Sequence, residues 1–197
     1  MADPPDTLAA RPLLADAWRL AHRVHANTRR RDGAPYVDHP VEVAEIIAGA
    51  GFDERLQAVC LLHDTLEGMR GGHEVLAHRF GEDIADLVAT LSEDQSIADP
   101  IERKTELRLR VQAAGSRAAA VFGADKLSNA IETTAAIEMH GLKVVEMFEI
   151  TLDARIRLWE HDAAMVRRLA PGLRYLEDLD EALLKLRAAA RGLAADG

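Results

Sequence analysis

The sequence lacks several features that define whole classes of protein. It has one cysteine, Cys60, so no disulfide can form within the chain, and the apolar run AVCLL around it predicts a buried thiol. No stretch approaches the roughly 20 uninterrupted apolar residues of a membrane-spanning helix. The first twelve residues also lack the basic and then apolar pattern of a signal peptide. We therefore expect a soluble, cytoplasmic protein that does not act in a membrane.

Positive charge is also scarce. The 33 acidic residues outnumber the 24 lysines and arginines, which gives a formal net charge of −9. Proteins that bind nucleic acid through its phosphates need a basic surface, so this composition argues against a nucleic-acid partner. An anionic small molecule must then be held by a local group of cations, and the arginines at 29–31 form one such group. The oligomeric state is left open.

Hydrophobic periodicity is helical along the whole chain, and no run alternates apolar and polar residues as a half-buried strand does. A length of 197 residues fits one domain. We predict a flexible lead over residues 1–12, where three prolines fall, and one all-α domain over 13–195. Its eight to ten helices are predicted at 13–28, 40–50, 54–67, 73–80, 82–91, 101–113, 117–140, 142–170 and 176–194.

The last two predicted helices are amphipathic. Val144, Phe148, Leu152 and Trp159 recur at helical spacing. A stripe of this kind can pack inside the domain or form a dimer surface. We favour the intramolecular core, which is the commoner role of such a stripe.

His63 and Asp64 stand in the most apolar predicted helix, where an ionised carboxylate is costly unless a cation compensates it. Imidazole and carboxylate ligands suit Mn²⁺ or Fe²⁺, and Zn²⁺ is an alternative. Asp125 in the apolar stretch VFGADKL and His25, late in the first helix, are the candidates for two further ligands. A hydrogen-bonded His-Asp pair without a metal is the competing interpretation. His39 precedes Pro40 at a helix start, so we assign it a structural role.

Glu67 strengthens the metal interpretation. It follows His63 by four residues and Asp64 by three, which places all three on one face of a continuous helix. A carboxylate beside a metal site can orient water or accept its proton during attack on phosphorus. The alternative is an acidic residue at the solvent-exposed end of a helix.

Several motifs together resemble the hydrolase domain of RelA/SpoT-type proteins. They occur in that family's order and close to its spacing. The stand-alone small alarmone hydrolases, including the metazoan type, are the most similar group, and the resemblance covers about residues 15–135. The motifs are H-x4-R-x2-G-x-PY-x2-HP (25–40), LLHDTLE (61–67), RFG (79–81), IERK (101–104) and ADKLSN (124–129).

The resemblance implies an HD-domain helical bundle that uses Mn²⁺ to remove the 3′-pyrophosphate from guanosine tetra- or pentaphosphate by attack of a metal-activated water. By position it implies His25, His63, Asp64 and Asp125 as metal ligands and Glu67 as the first of the catalytic acidic residues. Arg30 matches an arginine that packs on the purine and Asn129 matches a nucleoside contact. The implied phosphate partners are Arg29, Arg31, Lys104 and Lys126, although each cation can equally be a solvated surface residue.

The sequence departs from the family pattern HD-x-x-ED, because Gly68 stands where the second acid is expected. If that acid shares the proton transfer, its loss costs roughly 10²- to 10⁴-fold in rate. Three functions are therefore considered. The chain is an alarmone hydrolase that works with Glu67 alone, a related phosphohydrolase of an adenine alarmone or a dinucleotide phosphate, or a nucleotide-binding sensor with weakened turnover.

Overall fold

The structure, a computed structural model, describes residues 3–31, 33–69, 71–141, 143–144 and 148–195. Within these ranges it contains α-helices and no β-strand, which confirms the all-α prediction. Ten α-helices are described: α1 Asp6–Ala9, α2 Pro12–Val24, α3 Asp38–Gly49, α4 Glu54–Leu62, α5 Gly72–Phe80, α6 Glu82–Leu91, α7 Pro100–Ala114, α8 Ser116–His140, α9 Leu152–Leu169 and α10 Leu176–Ala195. A 3₁₀ helix covers Thr65–Gly68.

Side chains before three of the helices bind free backbone N–H groups of the first turn. The Asp53 carboxylate accepts from the Leu56 N–H at the start of α4, and Asp99 accepts from two N–H groups at the start of α7. Thr151 accepts from the Ala154 N–H at the start of α9. These are the residue types that stabilise helix N-termini, so the sequence itself fixes where these helices begin.

Helix α8 is the centre of the bundle. It packs against α3, α4, α6, α7, α9 and α10. Its first half is rich in alanine and almost wholly buried. Gly123 is needed for this packing, because a Cβ there would lie 2.9 Å from both the Tyr175 hydroxyl and Val166 Cγ1. Small side chains on α8 therefore let the C-terminal helices approach closely.

Helix α4 packs against α2, α3 and α6, and seven of its nine residues are buried. Cys60 lies among them, so the predicted buried thiol is confirmed. Val144, Leu152 and Trp159 are also buried, and Phe148 packs against the same core. These four apolar side chains thus contribute to the chain's own core.

Three helix boundaries lie four or more residues from the predicted ones. Helix α2 ends at Val24 instead of residue 28, and α4 ends at Leu62 instead of residue 67. Helix α9 begins at Leu152, where Thr151 caps it, and not at residue 142, which lies outside the described residues. In the segment predicted to be a flexible lead, Asp6–Ala9 form a short helix whose Leu8 is buried.

None of the helices in the described part of the chain has both the length and the apolar character that crossing a bilayer requires.

Candidate metal centre and active site

The site is built around the turn that follows α4. The Thr65 hydroxyl donates to the Leu62 carbonyl at 2.7 Å. The Ser92 hydroxyl lies within hydrogen-bond distance of two carbonyls, that of Val88 at 2.9 Å and that of His63 at 3.0 Å. The Thr65 hydroxyl takes the place of a helical N–H donor to the Leu62 carbonyl, where the α-helix stops and a 3₁₀ helix follows. His63 and Asp64 consequently lie at the junction, and not inside a continuous helix as the sequence suggested.

Three potential ligands meet at this junction. Single ligand atoms of His39, His63 and Asp125 all lie within 4.8 Å of one another. His39 Nε2 is 3.1 Å from Asp125 Oδ1, and His63 Nε2 is 3.8 Å from the same oxygen. Asp64 adjoins the group, with its Oδ2 3.2 Å from His63 Nε2 and 3.9 Å from His39 Nε2. Helices α3 and α8 and the turn after α4 thus bring two imidazoles and two carboxylates together.

The orientation of His63 fits a metal ligand. Its Nδ1 donates to the Cys60 carbonyl at 2.7 Å, which leaves Nε2 facing the cluster. This Nε2 is buried and has no hydrogen-bond partner among the described residues. Burial alone would lower the pKa of His63, but the carboxylates of Asp64 and Asp125 raise it to about 9. The surroundings therefore favour positive charge at this point, which a coordinated cation would supply.

The two carboxylates are themselves held by neighbouring side chains. The Tyr36 hydroxyl donates to Asp64 Oδ2 at 2.5 Å. Lys126 and Asn129 donate to the two oxygens of Asp125, at 2.6 and 2.5 Å. Burial opposes ionisation of Asp125, yet the Lys126 ammonium and the two histidines hold its pKa well below the usual range. Lys126 and Asn129, predicted as substrate contacts, thus also position a carboxylate of the cluster.

His25 lies at the edge of the cluster. Its ring packs against Tyr36, with the ring centroids 4.7 Å apart. Burial lowers the pKa of His25. Among the described residues, no group of three or more mutually close ligand atoms includes His25, whereas one includes His39. The geometry therefore does not support the exclusion of His39 from the ligand set, and it places His25 outside the group.

Glu67 lies on the 3₁₀ turn and lines the same cavity as His63 and Asp64. Partial desolvation at the cavity wall raises the pKa of Glu67 to about 7, with smaller contributions from the charges of Asp64 and Glu93. A carboxyl group with this pKa can exchange a proton near neutral pH, as a general base must. Because the helix breaks, Glu67 projects from the 3₁₀ turn and not from α4, and its side chain still lines the cavity.

A cavity of about 360 Å³ extends from the cluster and is lined by side chains of both signs. Lys104 and Lys126 are on its wall, and Lys104 donates to Glu93 at 2.8 Å. A second cavity of about 300 Å³ is lined by Arg29, Arg30 and Arg31. Asn129 lines both cavities. The predicted substrate residues therefore fall into two neighbouring groups, one beside the cluster and one at the arginine turn.

Helix α9 contributes cavity residues that the sequence did not indicate: Arg155, Trp159 and Asp162. The Arg155 side chain lies over the Phe148 ring at 4.4 Å, and its Nε is buried without a hydrogen-bond partner among the described residues. Asp162 is buried and accepts from Arg108 Nε at 2.5 Å. Their spacing places the three residues on one face of α9. Charged residues within an otherwise apolar stripe were therefore the sequence signal that could have indicated these cavity residues.

Gly68 occupies the position of the missing acid. A Cβ built on it would lie 3.0 Å from Val24 Cγ1, so a side chain at this position would press on the end of α2. An aspartate there requires Val24 to move by a few tenths of an ångström.

Comparison with known proteins agrees with this arrangement of helices. The sequence profile of the HD domain family matches residues 17–130, so the chain belongs to that family. A Synechocystis protein named as a probable guanosine-3′,5′-bis(diphosphate) 3′-pyrophosphohydrolase is 39% identical over 83 residues, which are 42% of this chain and 11% of that protein. The Aquifex aeolicus protein named guanosine-3′,5′-bis(diphosphate) 3′-pyrophosphohydrolase is 40% identical over 72 residues, 36% of this chain and 10% of that protein. The chain thus spans about a tenth of the length of these curated relatives.

Two solved structures share the fold. The Listeria monocytogenes protein lmo0812 superposes with a TM-score of 0.66 at 26% identity, over 74% of this chain and 96% of that one. A structure described as a metazoan orthologue of SpoT that hydrolyses ppGpp and plays a role in starvation responses gives a TM-score of 0.67 at 24% identity. It covers 98% of this chain and 99% of that chain, so the two share the fold, C-terminal helices included.

Proposed function

We propose that the chain is a metal-dependent phosphohydrolase that removes the 3′-pyrophosphate from guanosine tetra- or pentaphosphate. The observation that carries this proposal is the convergence of His39, His63 and Asp125 on one point, with Asp64 beside them. The names of the Synechocystis and Aquifex relatives support the choice of substrate.

The proposed ligand set is His39, His63, Asp64 and Asp125. It replaces the His25 of the sequence prediction by His39, because His39, unlike His25, has a ligand atom in the close group found among the described residues. Mixed imidazole and carboxylate donors suit Mn²⁺, with Fe²⁺ and Zn²⁺ as alternatives. When bound there, a divalent cation supplies a Lewis acid that stabilises phosphate oxygens and makes a water molecule more acidic.

The protein's own groups then have distinct tasks. Glu67 accepts a proton from the attacking water at its carboxylate, which a pKa of about 7 permits. Tyr36 keeps Asp64 oriented through its 2.5 Å hydrogen bond, while Lys126 and Asn129 hold Asp125. Because these carboxylates are already fixed, little reorganisation accompanies the reaction.

The cations around the cavity recognise the substrate phosphates in this proposal. Arg155 is the strongest candidate, because its Nε is a buried donor without a hydrogen bond among the described residues and an anionic oxygen would satisfy it. Lys104 can exchange its bond to Glu93 for a phosphate oxygen. Arg29 and Arg30, which line the second cavity, receive the nucleoside, since a guanidinium both stacks on a base and binds phosphate.

We also propose a cytoplasmic location, because the substrate is a nucleotide and the one cysteine is buried and free. The net charge of −9 makes a nucleic-acid partner unfavourable.

The proposal is tested by incubating purified protein with Mn²⁺ and a panel of guanine and adenine polyphosphates and dinucleotide phosphates, followed by ion-exchange separation of the products. Guanosine diphosphate and pyrophosphate from guanosine tetraphosphate are expected. Release from another nucleotide alone would assign the chain to the second function considered above. Tight binding without product would assign it to a sensor role, for which Gly68 provides a reason.

Two variants connect turnover to the site. Asp64→Ala is expected to lose Mn²⁺ binding and activity together. Glu67→Ala is expected to keep Mn²⁺ and lose activity. Full activity in Glu67→Ala would contradict the role proposed for that carboxylate.

A further inference from the structure

A chain of hydrogen bonds leads from the arginine turn to His39. Arg30 Nη1 donates to Glu42 Oε1 at 2.6 Å, and the Ser128 hydroxyl donates to Glu42 Oε2 at 2.7 Å. The Ser128 oxygen is in turn 2.9 Å from His39 Nδ1. At the far side of the same ring, His39 Nε2 is 3.1 Å from Asp125 Oδ1.

The position of each proton along this series of hydrogen bonds follows from the chemistry of the groups. A serine hydroxyl has one proton, and an ionised carboxylate can only accept. Because Ser128 gives its proton to Glu42, its oxygen must accept from a proton on His39 Nδ1. In the neutral imidazole, Nε2 then carries the lone pair, and that lone pair points at the cluster.

Burial of His39 and Ser128 keeps water from replacing these hydrogen bonds. His39 is 3% exposed and Ser128 is 1% exposed, so water has little access to replace either bond. Glu42 lies three residues after His39 on α3, which places both on one face of that helix. Its carboxylate is held from the other side by the guanidinium of Arg30 in a charge-assisted hydrogen bond.

We propose that Ser128 and Glu42 are positioning residues that hold His39 with its proton on Nδ1 and its Nε2 lone pair directed into the metal cluster. The inference rests on the proposed function in one respect, since it takes His39 as a ligand of the cation. It adds that Arg30 is part of the support of that ligand, so the arginine turn and the metal centre share one hydrogen-bond chain.

The variants have different expected effects on this chain. Ser128→Ala removes the acceptor for the proton on Nδ1. In Glu42→Gln, an amide N–H can donate to the Ser128 oxygen. The Ser128 hydroxyl proton is then free to bond His39 Nδ1, so the proton of the His39 ring moves to Nε2, where it blocks metal coordination. Removing such a support typically weakens metal affinity about 10- to 100-fold. Ser128→Thr keeps the hydroxyl and is expected to bind metal within a few-fold of the parent protein.

Mn²⁺ affinity is measured from the electron paramagnetic resonance signal of free Mn²⁺ in titrations of the full chain. Thr134→Ala is the matched control, because it removes another α8 hydroxyl that bonds only the Ala130 carbonyl among the described residues. Thermal melting by circular dichroism establishes that each variant is folded. If Ser128→Ala does not fold, Glu42→Gln carries the test, since the Glu42 side chain is 46% exposed.

A spectroscopic measurement separates positioning from packing. In protein labelled with ¹⁵N-histidine and loaded with diamagnetic Zn²⁺, long-range ¹H–¹⁵N spectra are expected to show the His39 proton on Nδ1. The assignment comes from the peak lost in His39→Gln. A proton on Nε2 in the parent protein, or parent-like Mn²⁺ affinity in both Ser128→Ala and Glu42→Gln, would overturn the inference. Equal losses in Ser128→Ala and Ser128→Thr would also overturn it.

The outcomes distinguish this inference from the proposed function. If the parent protein binds Mn²⁺, the variants bind it weakly and no nucleotide is hydrolysed, the inference stands and the proposed function fails. If the parent hydrolyses guanosine tetraphosphate and both variants bind Mn²⁺ normally, the proposed function stands and the inference fails. If the parent binds no Mn²⁺ at all, both are overturned.

Discussion

The Tyr36 hydroxyl donates a 2.5 Å hydrogen bond to Asp64 Oδ2, and this bond fixes one carboxylate of the candidate metal centre. Tyr36 lies in the turn before α3, and Asp64 lies in the turn after α4. The Tyr36 ring also packs against the rings of His25 and His39, with centroid distances of 4.7 and 5.7 Å. One tyrosine therefore contacts three of the polar residues around the cluster.

We predict that Tyr36→Phe weakens Mn²⁺ binding about 10- to 100-fold, because Asp64 loses the donor that orients it. The measurement is a Mn²⁺ titration of the folded variant. Tyr175→Phe is the matched control, since the Tyr175 hydroxyl is also buried but donates to the Ala120 carbonyl in the core. That variant should lose about 1 kcal/mol of stability and keep its Mn²⁺ affinity. Equal affinity in Tyr36→Phe and the parent would contradict the orienting role.

Glu67→Gln should lower the hydrolysis rate by about 10²- to 10⁴-fold and leave Mn²⁺ affinity nearly unchanged. The amide has the shape of the carboxylate but cannot accept the proton of water. Steady-state rates and Mn²⁺ titrations on the same preparation check this. Joint loss of metal and activity would instead make Glu67 part of the metal site.

The pKa of Glu67 predicts a pH dependence. Its pKa is raised to about 7 by partial desolvation, and a general base works only when deprotonated. Activity should therefore fall as the pH drops through this pKa. A bound cation favours the carboxylate, so the midpoint should lie at or below pH 7. The low-pH fall should be absent from the residual rate of Glu67→Gln; the same midpoint in that variant would assign the titration to another group.

The two candidate histidines should behave differently. His39→Ala is expected to abolish or strongly weaken Mn²⁺ binding, because His39 Nε2 lies among the clustered ligand atoms. His25→Ala removes a ring at the edge of the cluster and should have a smaller effect on Mn²⁺ affinity. Parallel Mn²⁺ titrations of the two variants compare these losses of affinity. A larger loss in His25→Ala than in His39→Ala would restore the ligand set expected from the sequence.

At the wall of the cavity, Arg108 and Asp162 form a buried ion pair between α7 and α9, with Nε and Oδ1 2.5 Å apart. Arg108→Met leaves a buried carboxylate without this partner and should cost about 3–5 kcal/mol in the free energy of unfolding. The double variant Arg108→Met/Asp162→Leu should recover most of that loss. Urea denaturation measures both. A double variant no more stable than the single one would show that the charge itself is not the cause.

The helical bundle was predictable because its signals are local. Asp53 and Asp99 stand before helices whose starts are close to those expected, and α6 has the predicted bounds. Boundaries failed where side chains interrupt a continuous apolar pattern. At the end of helix α4 the Thr65 hydroxyl binds the Leu62 carbonyl, and the Ser92 hydroxyl, 29 residues along the chain from His63, lies 3.0 Å from the His63 carbonyl. A search for helical periodicity in a short stretch of sequence therefore cannot detect this contact.

The site was predictable in part for the same reason. His63, Asp64, Glu67 and Asp125 stand in apolar segments, where a charged or polar side chain needs a partner. The assignment of His39 to a purely structural role depended on its position before Pro40, although the same turn that starts α3 also aims its ring at Asp125. Arg155 and Asp162 reach the cavity only through the packing of α9 on α8, which pairs residues far apart in sequence.

The location of the cation tests the central claim most directly. Crystals grown with Mn²⁺, with diffraction measured on both sides of the manganese absorption edge, reveal the metal by its anomalous scattering. We predict one strong peak within bonding distance of His39 Nε2, His63 Nε2, Asp64 and Asp125. A protein that hydrolyses guanosine tetraphosphate while its Mn²⁺ peak lies elsewhere, or is absent from this cluster, would contradict the account.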